Sequence, residues 1–283
     1  MTIDAHQHFI FPSRVHYPWL EGHTMRPLQR DFGPEELRSL LGQNGVDKTV
    51  LVQTRGSLEE TEEFLQIAAE TDYVAGVVGW ADLTDPDVGD VLDELLGSKN
   101  GRYLVGIRHQ VHDEPDPNWL LQDSVQGAIA AIGERGLAYD FLSRTRELPA
   151  CVKTARDHPG VRFLLDHLAK PNIAAGQWED WLGALSPLAP LPNVWVKLSG
   201  LVTEADWQGW TAERLRPYVQ KALELFGPER CLFGSDWPVC LLAGSYGAVK
   251  QGLEHALGEL TQEDRGRIFG TNAAEVYRLS SHP

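Results

Sequence analysis

Eight short apolar runs recur along the whole chain, and they constrain its fold more than any other feature. Each run is nearly continuous in hydrophobic character, which is typical of strands that are covered on both faces in a parallel sheet. Segments with the apolar spacing of helices separate the runs. The runs occupy residues 3–8, 48–53, 74–83, 104–110, 137–142, 161–167, 194–200 and 231–237.

Helix-start signals lie between these predicted strands. Ser57 followed by Glu60 predicts a capping box ahead of a helix over residues 62–69. Asn118 is predicted to cap a helix over residues 119–134. Eight strand–helix alternations over about 250 residues predict an α/β fold of the (β/α)8 TIM-barrel type. A doubly wound open sheet is the alternative, but it usually has fewer strands and a glycine-rich turn after the first one.

Composition excludes several classes of function. No linker or repeat divides the 283 residues, so residues 1–283 are predicted to form one domain. A net charge of −15 argues against nucleic-acid binding and slightly favours a neutral substrate over an anionic one. No apolar run approaches the roughly 20 residues that cross a membrane. The N-terminus carries no signal-peptide pattern, and three cysteines without metal spacing indicate reduced thiols, so we expect a cytoplasmic protein.

Polar residues close three of the predicted strands, where active sites form in this fold. His6 and His8 end the first strand, and a period of two points both side chains the same way. His167 ends the sixth strand and Asp236 ends the eighth. The pair of histidines could instead be buried polar groups of the core, and Asp236 could cap a helix. If His167 faces inward, strand alternation predicts that Asp166 faces the helices.

Six motifs extend this pattern over nearly the whole chain. They are DAHQHF at 4–9, GIRH at 106–109, LDHLAKP at 165–171, KLSG at 197–200, FGSDWP at 233–238 and FGTNAA at 269–274. Together they resemble the amidohydrolase superfamily, and within it the amidohydrolase-2 group of lactone hydrolases and related decarboxylases. The segment 108–117 is particularly similar to sugar-lactone hydrolases of the L-fuconolactonase and L-rhamnonolactonase type. The resemblance implies a hydrolase that opens a small sugar-acid lactone.

The resemblance also bears on metal binding. The binuclear branch of the superfamily uses a lysine or glutamate at the fourth strand and a histidine at the fifth. Here the fourth strand ends in Arg108-His109-Gln110, and the fifth carries Tyr139-Asp140-Phe141. We therefore expect at most one divalent ion, with zinc the leading candidate, and the reaction could also proceed without it. The expected ligands are His6, His8, His167 and Asp236.

Lactone hydrolysis needs a base for the attacking water and positive character at the carbonyl oxygen. Asp236 is the predicted base, and His167 is the second predicted catalytic residue, either as a ligand or as a hydrogen-bond donor with the other histidines. Predicted substrate contacts are Arg108, His109, Arg55, Tyr139 and Trp80, with Trp19 and Trp237 as further candidates for an apolar wall. One of Arg108 and His109 should face inward.

The sequence leaves the orientation of Lys197 and two alternative functions open. Lys197 could pair with an acid inside the barrel or point to solvent. His112, His158, His255 and His282 are predicted to be surface residues. Metal-dependent decarboxylation of an aromatic acid is the rival reaction on the same scaffold, and a non-catalytic binding protein is the other alternative. Barrel surfaces carry no readable interface signal, so no oligomeric state is predicted.

Overall fold

Eight parallel strands form one sheet in sequence order, and this confirms the predicted barrel. The structure is a computed structural model that describes residues 1–279, so His282 lies outside the described residues. Each strand is paired with the next one along the chain, without the crossover of a doubly wound sheet. The strands are β1 Ile3–Gln7, β2 Lys48–Val52, β3 Val74–Gly79, β4 Leu104–His109, β5 Ala138–Phe141, β6 Arg162–Leu165, β7 Val194–Leu198 and β8 Cys231–Phe233.

The first and last strands meet just beyond the end of β8. Gln7 and Trp237 form a parallel bridge. The amide of His8 donates to the carbonyl of Trp237 at 2.7 Å, and the amide of Asp236 donates to that of His6 at 2.8 Å. These contacts bring the carboxyl ends of β1 and β8 together, so the polar residues that follow both strands are neighbours.

Helices occupy the segments between the strands. The α2 helix begins as predicted, because the Ser57 hydroxyl accepts from the Glu60 amide at 3.1 Å. The predicted helix after Asn118 is wrong in its first turn, which is a 3-10 turn over Trp119–Leu121 without a side-chain cap. The helices are α1 Pro34–Asn44, α2 Leu58–Glu70, α3 Val88–Gly97, α4 Asp123–Glu134, α5 Leu148–Asp157, α6 Glu179–Leu185, α7 Ala212–Phe226, α8 Tyr246–Leu257, α9 Gln262–Gly266 and α10 Asn272–Val276.

Two apolar cores stabilise the barrel. The larger one lies between the strands and the surrounding helices. The smaller one fills the barrel itself, because all eight strands contribute side chains to it. The C-terminal segment packs against this inner core through Val276 and Tyr277. None of the helices in residues 1–279 has both the length and the apolar character needed to span a membrane.

Candidate active site

His6 and His8 converge on one point, as the strand period predicts. Their Nε2 atoms are 3.2 Å apart, and both rings are buried. The Nδ1 atom of His8 lies 2.7 Å from the carbonyl oxygen of Val52 on the neighbouring strand. A carbonyl only accepts, so His8 Nδ1 is the donor in this contact, and it fixes the orientation of the ring.

Asp236 lies at the centre of three imidazoles. It follows β8 in a left-handed conformation with φ of 58°, which aspartate tolerates better than most residues. Its Oδ1 atom is 3.3 Å from His8 Nε2, 3.8 Å from His6 Nε2 and 3.9 Å from His167 Nε2. The four residues predicted from three strand ends are therefore brought into one cluster.

His167 reaches the cluster because the chain turns sharply after β6. Residues 167–170 all have positive φ angles, from 51° to 58°, although none of them is glycine. The ring is fixed by a 2.9 Å contact between its Nδ1 atom and the hydroxyl of Ser199. Gly200 leaves room for this ring, since a Cβ there would lie 2.5 Å from the same nitrogen.

The prediction that Asp166 faces the helices is wrong. The strand ends at Leu165, so alternation no longer applies to the next residue. Asp166 Oδ1 is 3.4 Å from His6 Nδ1 and 2.9 Å from Lys197 Nζ. Its Oδ2 accepts from Arg108 Nη1 at 2.9 Å.

Lys197 points into the barrel, which is one of the two orientations that the sequence allows; the other was toward solvent. Its ammonium is fully buried, 2.5 Å from Asp140 Oδ2 and 3.1 Å from His6 Nδ1. Arg108 lies near the same ring, with Nη1 3.2 Å from His6 Nε2, and it also donates to the Gln53 side chain at 2.9 Å. Lys197, Arg108, Asp140 and Asp166 thus form a charge-balanced group beside His6, and Asp236 adds a further carboxylate near Nε2 of the same ring.

Burial and neighbouring charges set the ionisation of the cluster. Burial lowers the pKa of His167 to about 4, against the opposing charge of Asp236. Burial also holds the pKa of His6 well below its ordinary value, although Asp166 opposes this. Burial alone would raise the pKa of Asp236, but His167 and the hydrogen bond from His8 outweigh it and lower that pKa. At neutral pH the cluster therefore holds an ionised carboxylate beside neutral His6 and His167.

The donor set fits a single divalent ion. One ligand atom each from His6, His167 and Asp236 lies within 4.8 Å of the others. Two donors on one tetrahedral zinc ion, with bonds of about 2.1 Å, are separated by roughly 3.4 Å. The 3.2 Å and 3.3 Å separations around His8 Nε2 match this value. The nearby guanidinium of Arg108 opposes a divalent cation by charge repulsion, which weakens binding without removing the ligands.

A cavity of about 440 Å³ opens above the cluster. His8, His167, Asp236 and Arg108 line it, so Arg108 is the inward residue of the pair that the sequence left undecided. Trp19 also lines it, as one of the predicted aromatic candidates.

Four predicted substrate contacts are not among the residues that line this cavity. His109 stacks on Trp119 with ring centroids 4.1 Å apart, because it points outward from β4 when Arg108 points inward. Trp80 donates from Nε1 to His109 Nδ1 at 3.1 Å. Arg55 pairs with buried Glu60 at 3.4 Å, and Tyr139 packs against the aromatic rings of the outer core. Trp237 is likewise fully buried between two phenylalanines.

Several cavity residues were missed because they lie in loops beyond the strand ends. Lys170 pairs with Glu204 at 3.1 Å on one side of the cavity mouth. Arg144 and His112 line the same side, which overturns the surface assignment of His112. Charged residues just after predicted strands were the available signal, since loops at this end of a barrel carry substrate contacts.

Comparison with known proteins agrees with this geometry. Residues 3–279 match the family model described as Amidohydrolase. The chain is 42% identical to an L-fucono-1,5-lactonase of Burkholderia ambifaria, over 98% of this chain and 95% of that protein. It is 39% identical to an L-fucono-1,5-lactonase of Burkholderia multivorans, over 99% of this chain and 96% of the relative.

A solved structure with a similar fold supports the same family relationship. A zinc-bound amidohydrolase from Burkholderia multivorans superposes with a TM-score of 0.92 at 37% identity, covering 99% of this chain and 100% of the other. The match of the family model over nearly the full length, together with these relatives, shows that the chain belongs to the amidohydrolase family.

Proposed function

We propose that this protein is a lactonase that hydrolyses a sugar-acid lactone, with L-fucono-1,5-lactone as the leading substrate. It is a hydrolase of carboxylic ester bonds, as its relatives named L-fucono-1,5-lactonase are. The observation that carries the proposal is the position of the Asp236 carboxylate among three imidazoles, at the floor of a cavity that fits a small molecule.

Asp236 is the proposed general base. Its lowered pKa keeps the carboxylate ionised at neutral pH, and its position on the cavity floor allows it to hold a water molecule. The carboxylate accepts a proton as this water attacks the lactone carbonyl carbon. When the tetrahedral intermediate collapses, the bond to the ring oxygen breaks and Asp236 returns the proton to that oxygen.

Positive character for the carbonyl oxygen comes from the side chains around Asp236. The Arg108 guanidinium is permanently charged and lines the cavity. The neutral imidazole of His167, which lines the cavity, can donate to a developing oxyanion, which is often the largest catalytic contribution in acyl transfer. A zinc ion held by His6, His8, His167 and Asp236 would add Lewis-acid polarisation and lower the pKa of a bound water.

The cavity has two chemically different walls. Residues after β4 to β7 form a polar wall, and residues after β1 and β8 form an apolar one. Because the strands follow sequence order around the barrel, these walls face each other across the mouth. The polar wall holds His112, Arg144, Lys170 and Glu204, with the apolar side chains of Leu142 and Trp207 among them, and the apolar wall holds Trp19, Met25, Val239 and Leu242.

This division supports a deoxy-sugar lactone as substrate. Ring hydroxyls can bond the polar wall, while a methyl group in place of a hydroxymethyl group suits the apolar wall. We expect L-fucono-1,5-lactone to be preferred over its hydroxylated counterpart, L-galactono-1,5-lactone. An apolar pocket rejects an added hydroxyl by at most about 100-fold, so a preference of 10- to 100-fold in kcat/KM is expected.

The decisive experiment is a panel of sugar lactones assayed with a pH indicator, which detects the acid released. Hydrolysis of 1,5-lactones by the purified protein, with preference for the deoxy compound, is the expected result. Absence of acid release from every lactone, combined with CO₂ release from an aromatic acid, would replace the proposal with the decarboxylase alternative.

The same panel, repeated with a chelator, tests whether hydrolysis requires a bound metal ion. Dialysis against a chelator followed by zinc titration measures both the rate and the bound zinc. Loss of activity that zinc restores assigns the ion to the reaction. Retained activity assigns the electrophilic role to Arg108 and the imidazoles.

A cytoplasmic location and the lack of nucleic-acid binding stay predictions from composition.

A further inference from the structure

A column of buried polar side chains runs from the C-terminal segment to His6, and the proposed reaction does not use it. The Tyr277 hydroxyl donates to Asp140 Oδ2 at 2.6 Å. The Lys197 ammonium lies 2.5 Å from the same Asp140 oxygen and 3.1 Å from His6 Nδ1. Tyr277, Asp140 and Lys197 are each at most 1% exposed, and none of them lines the cavity.

The ammonium of Lys197 has close polar partners on three residues. It donates to Asp140 Oδ2 and lies 3.1 Å from His6 Nδ1, while Asp166 Oδ1 is an ion-pair partner at 2.9 Å that makes no hydrogen bond in the described residues. A buried charge is costly to leave unpaired, so these contacts hold the lysine in place. Arg108 balances the second carboxylate, Asp166, so these four charged side chains carry no net charge together.

His6 is the point at which this column meets the reaction centre. Its Nδ1 atom faces Lys197, while its Nε2 atom is 3.8 Å from Asp236 Oδ1 and 3.2 Å from His8 Nε2. The ring therefore stands between the column and the proposed base. A shift of Lys197 moves the ring relative to Asp236 without touching a substrate in the cavity.

We propose that Lys197 and Tyr277 are positioning residues that act on lactone hydrolysis through His6. Asp140 links them: the tyrosine hydroxyl orients this carboxylate, the carboxylate holds the ammonium, and the ammonium holds the imidazole. The inference rests on the proposed function for its kinetic consequences, whereas its structural consequence at His6 is independent of the substrate.

Tyr277→Phe tests the far end of the column, because it removes one hydroxyl and keeps the ring in the inner core. Tyr139→Phe is the matched control, since the Tyr139 hydroxyl is also buried but has no hydrogen-bond partner in the described residues. Loss of a direct hydrogen-bond partner of a metal-ligating histidine typically costs 10- to 100-fold, and Tyr277 acts on His6 through two further side chains, so we take the lower end of this range. We expect Tyr277→Phe to lower kcat about tenfold with KM unchanged, and Tyr139→Phe to alter neither.

Tyr277→Phe with the kcat of the native protein would overturn the proposal. A fall in kcat matched by an equal loss of folded protein, with kcat per folded molecule unchanged, would also overturn it.

A double variant tests the centre of the column. Lys197→Met with Asp140→Asn removes one positive and one negative charge, so no uncompensated charge is left buried. We expect kcat to fall more than in Tyr277→Phe, again without a rise in KM. Should this variant fail to fold, Tyr277→Phe and its control still decide the question.

The ring nitrogens of His6 give a readout that does not need a substrate. In protein labelled with ¹⁵N-histidine, Tyr277→Phe should shift the Nδ1 resonance of His6, and Tyr139→Phe should leave it in place. His158, whose Nε2 atom is 2.9 Å from Gln126, serves as the internal reference. Absence of lactone hydrolysis in the native protein would reject the proposed function alone, whereas an unshifted His6 resonance in Tyr277→Phe would reject the column.

Discussion

Gly200→Ala offers a direct test of how tightly the candidate active site is packed. Gly200 has φ of 62°, and a Cβ added there would lie 2.5 Å from His167 Nδ1 and 2.8 Å from its Cγ. Real Cβ atoms do not approach other atoms this closely, so the imidazole must move. The move breaks its 2.9 Å contact with Ser199 and displaces Nε2 from Asp236.

The expected magnitudes follow from these contacts. A left-handed backbone costs alanine about 1 kcal/mol relative to glycine. Loss of the contact with Ser199 adds about 1 kcal/mol. A total of about 2 kcal/mol lowers Tm by about 4 °C in a chain of this size. The effect on activity should be larger, because a displacement of about 1 Å at a reacting centre can cost 100-fold in rate.

Gly45→Ala is the matched control for the backbone contribution. Gly45 has φ of 61°, nearly the same as Gly200, but no atom lies within 4 Å of its added Cβ. Thermal denaturation and lactone hydrolysis are measured for both variants. Gly45→Ala should lose about 2 °C in Tm and keep its kcat/KM. Equal kcat/KM in the two variants would refute the packing argument for His167.

Two further predictions concern the proposed base and the cysteines. Asp236→Asn should fold normally but lower kcat by about 10²- to 10⁴-fold, because an amide cannot take the proton of water; a decrease below tenfold would remove Asp236 from the role of base. Cys151, Cys231 and Cys240 are buried and unpaired, and burial raises the pKa of Cys151 to about 12. An aromatic disulfide reagent at pH 8 should therefore modify none of the three in the native protein within minutes and all three after denaturation, whereas rapid modification of the native protein would contradict the described burial.

The fold could be predicted because its signals are local. Apolar runs located all eight strands, although the structure ends every one of them earlier, for example at Leu165 rather than at residue 167. The strand ends are shorter because the chain turns to present polar groups such as His167. The family resemblance is confirmed by the matching family model and by the relatives.

The candidate site was predictable only where single residues signalled it. His6, His8, His167 and Asp236 close predicted strands, and the structure brings them together. The orientation of Lys197 was left open and that of Asp166 was predicted wrongly, because their partners lie on other strands. Arg144 and Lys170 were missed since loop positions leave no periodic pattern.

The left-handed turn at residues 167–170 also limits how this protein can be made more stable. Each non-glycine residue held in that conformation costs about 1–2 kcal/mol, so the turn consumes several kcal/mol out of a typical total of 5–15. Glycine at Ala169 would relieve part of this cost and is the kind of substitution that a stability selection favours. The same substitution would loosen the support of His167. Selection for heat resistance and selection for turnover should therefore diverge at this one turn.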